Sequence, residues 1–197
     1  SCFISLIKTS FIMLNNNSES EHIEILVLIP IKIREVQQSD IEQVCLIQES
    51  TQNFQETFNR EIIEERIRNF ADTFLLASLD DQVIAYISAI DFATSSVSRW
   101  IVEMADGEAI SNENLVIDAL SVHPKYQGQG FGTLLLASMK QVALQQNSPA
   151  IYLVCKDELL SYFEMNEFIE QGIVDLGVGN KVDFLMCWMN PFYQEEL

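Results

Sequence analysis

The chain of 197 residues carries 11 Lys and Arg against 29 Asp and Glu, which gives a formal net charge of −18. With 48% hydrophobic and 20% charged residues, it has the composition and length of one compact domain with a substantial core. The charge argues against a nucleic-acid-binding surface, because phosphate contacts need a basic face. It favours cationic partners such as amines, although solubility alone would also explain it.

The cysteines are scattered along the chain, at Cys2, Cys45, Cys155 and Cys187, and none belongs to a C-x-x-C pair. Neither a metal site nor a disulfide framework is expected from this spacing. Reduced thiols indicate a cytoplasmic protein.

Residues 1–30 are interpreted as an N-terminal extension of uncertain order that precedes a domain over residues 31–197. Apolar runs at residues 1–17 and 23–33 are too short to span a bilayer, and no signal peptide is evident, so we expect no membrane contact. The second run predicts a strand interrupted at Pro30, and an exposed strand there would support a homodimer.

The first half of the domain alternates strands and helices. Apolar spacing predicts a strand at 31–35, a helix at 41–50 with Ser39 or Asp40 as its N-cap, and a helix at 56–70. Residues 73–90 predict a hairpin that turns at Asp80-Asp81-Gln82. Residues 91–113 show no period, and they are either a binding loop or a disordered surface loop.

The second half continues the alternation and predicts a single α/β domain around a mixed sheet. The predicted elements are a buried strand at 114–122, an amphipathic helix at 130–146, a strand at 150–155, a short helix at 157–166, and strands at 168–174 and 182–189.

Between the strand at 114–122 and the following helix lies the sequence QGQGFG, residues 127–132. A helix begins with backbone N–H groups that lack internal partners, and glycines in front of it let an anion approach them. A Walker loop is excluded because no Gly-Lys pair follows. A dinucleotide fingerprint fails because its third glycine position is Thr133 and five residues intervene after the strand.

QGQGFG matches the pattern Gln/Arg-x-x-Gly-x-Gly/Ala and follows LSVHPKY, and the whole stretch resembles the acetyl-CoA loop of the GNAT superfamily of N-acetyltransferases. Residues 153–172, LVCKDELLSYFEMNEFIEQG, resemble the later strand–helix–strand segment of the arylalkylamine N-acetyltransferase branch. The resemblance covers about residues 31–190. It implies a GNAT-like acetyltransferase domain whose mixed, mostly antiparallel sheet is flanked by about four helices.

The resemblance also implies the coenzyme contacts. The backbone of Leu120, Ser121 and Val122 would pair with the pantetheine arm of acetyl-CoA, the cosubstrate, and no metal would be needed. The pyrophosphate would be held by the loop residues Gln127, Gly128, Gln129, Gly130, Phe131, Gly132 and Thr133. Lys125 would either add a positive charge nearby or be a solvated turn residue.

The helix at 157–166 departs from the arylalkylamine pattern. The tyrosine that protonates the leaving thiolate in that branch matches Phe163. Tyr162 is one residue away, about 100° around a helix, and it is a candidate acid only if the helix is rotated. Otherwise it is a packing aromatic. Glu167 replaces a glycine at the helix end, and Asn166 is expected to take the left-handed conformation instead.

The general base is also open. Two histidines of the arylalkylamine enzymes match Val116 and Asp118. Asp118 in an apolar strand is either a base whose pKa is raised by burial or a carboxylate satisfied by hydrogen bonds. His123 is expected to be structural.

The implied activity is acetyl transfer from acetyl-CoA to the primary amine of a small molecule by direct attack. The amine would approach between the two early helices and the segment 91–113, attracted by Glu56, Glu61 and Glu64, unless these form only a solvated face. The alternatives are a CoA-binding module with little or no transferase activity and a peptide or protein N-terminal acetylase.

Overall fold

An eight-stranded sheet in the order β1-β2-β3-β4-β5-β6-β8-β7 dominates the computed structural model, which describes residues 3–12, 24–51, 58–104, 112–175 and 182–194. The strands are β1 Phe3–Ile12, β2 Glu24–Glu35, β3 Phe74–Leu79, β4 Gln82–Asp91, β5 Leu115–Val122, β6 Ala150–Lys156, β7 Ile169–Val174 and β8 Asp183–Met189. The helices are α1 Ile41–Ser50, α2 Arg60–Asn69, α3 Ser98–Met104, α4 Phe131–Gln145 and α5 Leu160–Met165.

This architecture confirms the single α/β domain with a mixed, mostly antiparallel sheet. Only β5 and β6 are parallel neighbours, and every other described pair is antiparallel. The described residues contain five helices where about four were expected, the shortest being α5 with six residues. None of these helices has the length and apolar character needed to cross a bilayer. The division at residue 30 stays a prediction.

The predicted hairpin is present as β3 and β4. Asp80 and Asp81 form its two-residue turn with φ of 47° and 62°. Two positive φ angles give the turn the twist that antiparallel strands require, and Asp tolerates this conformation better than most residues.

One sequence expectation was wrong, and a second was incomplete. β2 is continuous through Pro30, because β3 pairs with β2 only from Ile31 onward and leaves Pro30 with a strand neighbour on one side. The segment 91–113 contains α3, whose Ile101 packs with Val97 against β5, β7 and β8. At seven residues, α3 is too short to show a helical period in the sequence.

The sheet is covered on both faces. One face packs against α4 and buries Leu135, Leu136 and Met139 with Ile117 and Ile151. The opposite face packs against α1 and α2, and its separate apolar cluster includes Val44, Ile47, Ile63, Phe74 and Tyr86. Strand β5 lies in the middle of the sheet, so its side chains reach both layers.

Strand β5 is irregular on both of its edges. The ladder between β5 and β6 covers three residue pairs and ends at Ile117–Leu153, although both strands continue beyond it. The ladder between β4 and β5 pairs Ser88 with Ala119 and Ala89 with Ile117, so Asp118 is an extra, bulged residue. A gap therefore opens between β5 and β6 next to a bulge that redirects Asp118.

Candidate functional site

A cavity of about 470 Å³ lies where the end of β5, the start of α4 and α5 come together. Its lining is Val122, Tyr126, Gln127, Gly128, Gly130, Phe131, Gly132, Thr133, Leu159 and Tyr162. None of these side chains carries a charge, in a protein whose net charge is −18. An anion in the cavity would therefore not be repelled by a carboxylate of the lining.

The loop before α4 owes its conformation to two glycines. Gly128 and Gly130 have φ of 72° and 88°, and a Cβ at either position would have no atom within 4 Å. Glycine is thus needed for the left-handed backbone rather than for tight packing. Gly130 is the N-cap and offers no side chain to the first turn of α4. The amides of Phe131, Gly132 and Thr133 lie in that first turn, where helical N–H groups have no intrahelical acceptor.

Side chains around the loop stabilise its own backbone. Gln127 Nε2 donates to Val122 O at 3.0 Å, and Gln129 Nε2 donates to Lys125 O at 3.1 Å. His123 Nδ1 accepts from Lys125 N at 3.2 Å. Gln127, Gln129 and His123 therefore stabilise the backbone conformation of the loop. The Nζ atom of Lys125 lies 5.4 Å from the centre of the Tyr126 ring.

The predicted pantetheine strand borders the gap. Leu120, Ser121 and Val122 pair with β4, while the β6 ladder has already ended at Ile117. Val122 lines the cavity and Leu120 packs toward the α4 layer. The side of this strand that faces the gap has no partner strand in the described part of the chain, so an extended ligand chain would complete the sheet.

Tyr162 and Phe163 point in different directions. Phe163 is buried and packs edge-on against Phe168. Tyr162 lines the cavity, and its hydroxyl is 2.5 Å from the position that a Cβ on Gly132 would take. Burial raises the pKa of Tyr162, and a hydrogen bond with the Thr133 side chain opposes the rise. The residue turned toward the cavity is thus the neighbour of the one that matches the family's acid position.

The end of α5 differs from the expectation for Asn166. Asn166 has φ of −95°, and Glu167 adopts the left-handed conformation with φ of 66°. Lys140 holds this turn, because its Nζ donates to Asn166 O at 2.6 Å and to Glu167 Oε2 at 2.7 Å. A non-glycine residue therefore occupies a position where glycine is usual.

Asp118 lies on the opposite face of the sheet, against α2. Arg66 Nε donates to its Oδ2 at 2.6 Å, and Arg66 also pairs with Glu65. Its Oδ1 and the nearby Ser88 Oγ are buried, and neither makes a hydrogen bond of ordinary geometry among the described residues. Burial raises the pKa of Asp118, although Arg66 and Ser88 oppose the rise. Both interpretations of Asp118 therefore hold in part. One carboxylate oxygen accepts a hydrogen bond from Arg66, and burial nevertheless raises the pKa of the carboxyl group.

A further polar group lies on the same face and was missed in the sequence. Gln48 Oε1 accepts from Tyr86 Oη and, at 3.4 Å, from Ser121 Oγ. Gln48 and Tyr86 are buried, and burial raises the pKa of Tyr86. One weak sequence signal existed, a glutamine on the apolar face of α1. Its partners come from two strands, so no local pattern could identify them.

Two of the glutamates expected to attract an amine, Glu61 and Glu64, lie on α2. Glu64 pairs with Arg60 at 3.8 Å and Glu61 is exposed on α2. Glu56 falls outside the described residues. In the described part of the chain, no three His, Cys, Asp or Glu side chains are arranged to hold a metal ion.

Structural comparison finds similar folds among acetyltransferases. Ard1 from Thermoplasma volcanium superposes with a TM-score of 0.64 at 16% identity, covering 81% of this chain and 97% of that one. The yncA protein of Salmonella typhimurium, solved with its cofactor acetyl-CoA, gives 0.60 at 15% identity over 84% and 96% of the two chains. PaiA N-acetyltransferase from Thermoplasma acidophilum, in complex with coenzyme A, gives 0.57 at 19% identity over 81% and 98%.

At the sequence level, the model of the acetyltransferase (GNAT) family matches residues 40–162. This span begins just before α1, contains β5, the glycine loop and α4, and ends at Tyr162 in α5. It covers more than half of the chain and includes every residue that lines the cavity. The protein belongs to the GNAT family of acetyltransferases.

Proposed function

We propose that the protein transfers the acetyl group of acetyl-CoA to the primary amine of a small molecule. The observation that carries this proposal is that two features, a cavity and an unpaired strand edge, adjoin each other in a member of this family. An amide-lined cavity without carboxylates at the start of α4 leads directly into the unpaired side of β5. A coenzyme with an anionic diphosphate and an extended, amide-containing arm has the chemistry that these two features complement.

The loop residues would bind the diphosphate through main-chain donors. The amides of Phe131, Gly132 and Thr133 lie at the positive end of the α4 dipole, and Gly128 and Gly130 keep the approach open. This mode of binding suits the chain, because it needs few cationic side chains. The amide groups of the pantetheine arm would then pair with Leu120, Ser121 and Val122 as an added strand.

Asp118 is the proposed general base. An alkylamine is protonated at neutral pH, so it must lose a proton before its nitrogen can attack the acetyl carbon. Asp118 keeps one oxygen outside the Arg66 pair, and its raised pKa brings its basicity closer to what proton transfer requires. The nitrogen forms the new C–N bond and gives up its second proton to water, while the C–S bond breaks and the sulfur leaves with the electron pair and takes a proton from water to become the free thiol.

A second candidate is a CoA-binding module with little transferase activity. The observation that favours it is the burial of Phe163 at the position of the family's proton donor. The arylalkylamine branch, a cytoplasmic location and a homodimer also remain predictions.

The experiment is an acceptor screen with the purified protein. Acetyl-CoA is incubated with monoamines, polyamines, amino acids and short peptides, and release of the free thiol is followed. We expect turnover with at least one small primary amine. Turnover restricted to peptides would replace the proposed acceptor class, and calorimetric CoA binding without turnover on any acceptor would favour the binding module.

A matched pair of variants tests the cavity itself. Gly130→Glu places a carboxylate and a strained residue in the anion cradle, and we expect it to abolish calorimetric binding of CoA. Ala137→Glu adds the same charge at an exposed position of the same helix and should bind like the parent. Equal CoA binding by both variants would contradict the proposed coenzyme site.

A further inference from the structure

We propose that the Tyr162 hydroxyl is a ligand of the coenzyme diphosphate and that it does not protonate the leaving thiolate. This inference rests on the proposed function, since it assigns a role within the same coenzyme site. It departs from the resemblance to the arylalkylamine branch, which made Tyr162 the nearest substitute for an acid lost at Phe163.

The Tyr162 hydroxyl lies over the first turn of α4. It is 2.5 Å from the position of a Cβ on Gly132, and Tyr162 lines the same cavity as Thr133. The amides of this turn are the donors that the diphosphate would use. A phenol hydroxyl at the same spot adds one more donor to an anion site whose lining holds no charged side chain.

The same hydroxyl is far from the proposed general base. The Cβ position on Gly132 is 3.8 Å from Val122 Cγ2, so the hydroxyl belongs to the Val122 end of β5. Asp118, the proposed base, is four residues earlier on that strand. At about 3.3 Å per residue, the two ends are roughly 13 Å apart. A group at the diphosphate end cannot also reach the sulfur at the far end of the pantetheine arm.

The acidity of the phenol favours the same role. Burial raises the pKa of Tyr162 above its ordinary value, which leaves the hydroxyl protonated and able to donate a hydrogen bond. The same rise makes proton transfer to a thiolate less favourable, because the donor becomes weaker relative to the acceptor. The raised pKa therefore suits a binding group better than an acid.

The position of Tyr162 also explains Gly132. A Cβ there would meet the Tyr162 hydroxyl at 2.5 Å but the Cζ atom at 3.6 Å. The first contact is a clash, and the second is ordinary van der Waals distance. A side chain at position 132 would thus require Tyr162 to shift, whereas Gly128 and Gly130 serve the backbone conformation.

The test compares two ligands by calorimetry. For Tyr162→Phe we expect CoA to bind about tenfold more weakly, the effect of losing one hydrogen bond to a charged group. Pantetheine, which lacks the diphosphate, should bind as tightly as to the parent. The KM for acetyl-CoA should rise by a similar factor, and the pH profile of kcat should keep its basic limb. Tyr193→Phe, outside the cavity lining, serves as the control.

Two results would overturn the assignment. One is unchanged CoA affinity in Tyr162→Phe, and the other is a fall in kcat with loss of the basic limb of its pH profile. If the parent protein binds neither CoA nor pantetheine, the proposed function fails as a whole. If the parent binds both and Tyr162→Phe does the same with equal affinity, only the role of Tyr162 is wrong.

A double-mutant cycle provides a readout that is independent of activity. Gly132→Ala should lower the Tm, because the new methyl group meets the Tyr162 hydroxyl. Adding Tyr162→Phe should restore most of the loss, since removal of the hydroxyl leaves the ring carbon at normal distance. Equal Tm losses with and without the hydroxyl would contradict the placement of Tyr162 over α4.

Discussion

Asp40 is buried and Asp118 is partly buried, and each is paired with an arginine, yet their pKa values move in opposite directions. Arg34 donates to both oxygens of Asp40 at 2.7 and 2.8 Å, and Gln37 N adds a third bond at 2.7 Å. Although burial works against it, this set of donors lowers the pKa of Asp40. Asp118 has one Arg66 bond for its two oxygens, and burial prevails.

This difference separates a carboxylate whose charge is fully stabilised by its neighbours from one that is only partly stabilised, which is the property that the proposed base requires. Asp40 lies at the start of α1 with every donor supplied by its neighbours, so its charge is fully stabilised. Asp118 lies on a bulge in the central strand beside the gap, and its partner Arg66 is shared with Glu65. An incompletely satisfied buried carboxylate costs stability, and such costs concentrate at functional sites.

The largest expected effect separates the two residues by activity. Asp118→Asn removes the proposed base while keeping the shape, and kcat/KM for acetyl transfer should fall by at least about 10²-fold. Asp40→Asn should leave kcat/KM per folded molecule unchanged. Both values are measured by thiol release, with the folded fraction determined by circular dichroism. A fall of less than about threefold in Asp118→Asn would remove that residue from the mechanism.

The second effect concerns the arginines. Arg34→Met leaves the carboxylate of Asp40, whose side chain is 5% exposed, without its arginine partner. We expect the free energy of unfolding to drop by about 2 kcal/mol at pH 7. The loss is smaller than for a fully enclosed pair because Arg34 itself is 29% exposed. Arg66→Met should cost less, since Asp118 already tends toward its neutral form. Urea titrations of the two variants give the comparison, and a larger loss for Arg66→Met would reverse it.

The third effect is the pH dependence of stability, which has opposite signs for the two groups. The pKa of Asp40 is lowered, so its stabilisation is present above about pH 4 and disappears as the pH falls through its folded pKa. The pKa of Asp118 is raised, so its ionisation costs stability above that pKa, and the cost vanishes as the pH falls toward about 4.

Urea titrations between about pH 3 and pH 7 on the parent, Asp40→Asn and Asp118→Asn check these signs. The stability advantage of the parent over Asp40→Asn should shrink below about pH 4. The parent should gain stability relative to Asp118→Asn as the pH is lowered from neutrality. Parallel curves for the parent and Asp118→Asn would mean that Asp118 titrates normally.

The smallest expected effect tests the influence of Ser88 on the pKa of Asp118. Ser88 helps to keep the pKa of Asp118 from rising further. Ser88→Ala should therefore shift the acidic limb of the kcat/KM profile to higher pH without changing the plateau. Ser78→Ala, a buried serine on neighbouring β3, is the control and should leave the limb in place. A shift toward lower pH would contradict the contact between Ser88 and Asp118.

The sequence predicted the strand–loop–helix unit of the coenzyme site closely because its signals are local. Three glycines at alternate positions separate two apolar runs of different period, and β5 and α4 fall within one residue of their predicted ends. The hairpin at Asp80 and Asp81 was equally local. The match to the family pattern then added the expected binding partner.

Features that depend on contacts between distant residues, or on the rotation of a short helix about its axis, could not be predicted from the sequence. Arg66 and Asp118 are 52 residues apart in the chain, and only the fold brings them together. The direction of Tyr162 depends on the phase of α5, and this helix follows a more tightly wound 3₁₀ turn at Asp157–Leu159. The period of one continuous α-helix does not reproduce this phase.

The gap after Ile117–Leu153 would couple binding of the proposed coenzyme to the stability of the whole domain. The sheet consists of two halves, β1–β5 and β6–β8, whose ladder across the boundary covers only three residue pairs. A ligand that fills the gap contacts both halves and binds only the folded protein. At a ligand concentration of about 100 times Kd, it adds about 2.7 kcal/mol to the free energy of unfolding. The lifetime of this protein in a cell would then rise and fall with the supply of its own cosubstrate.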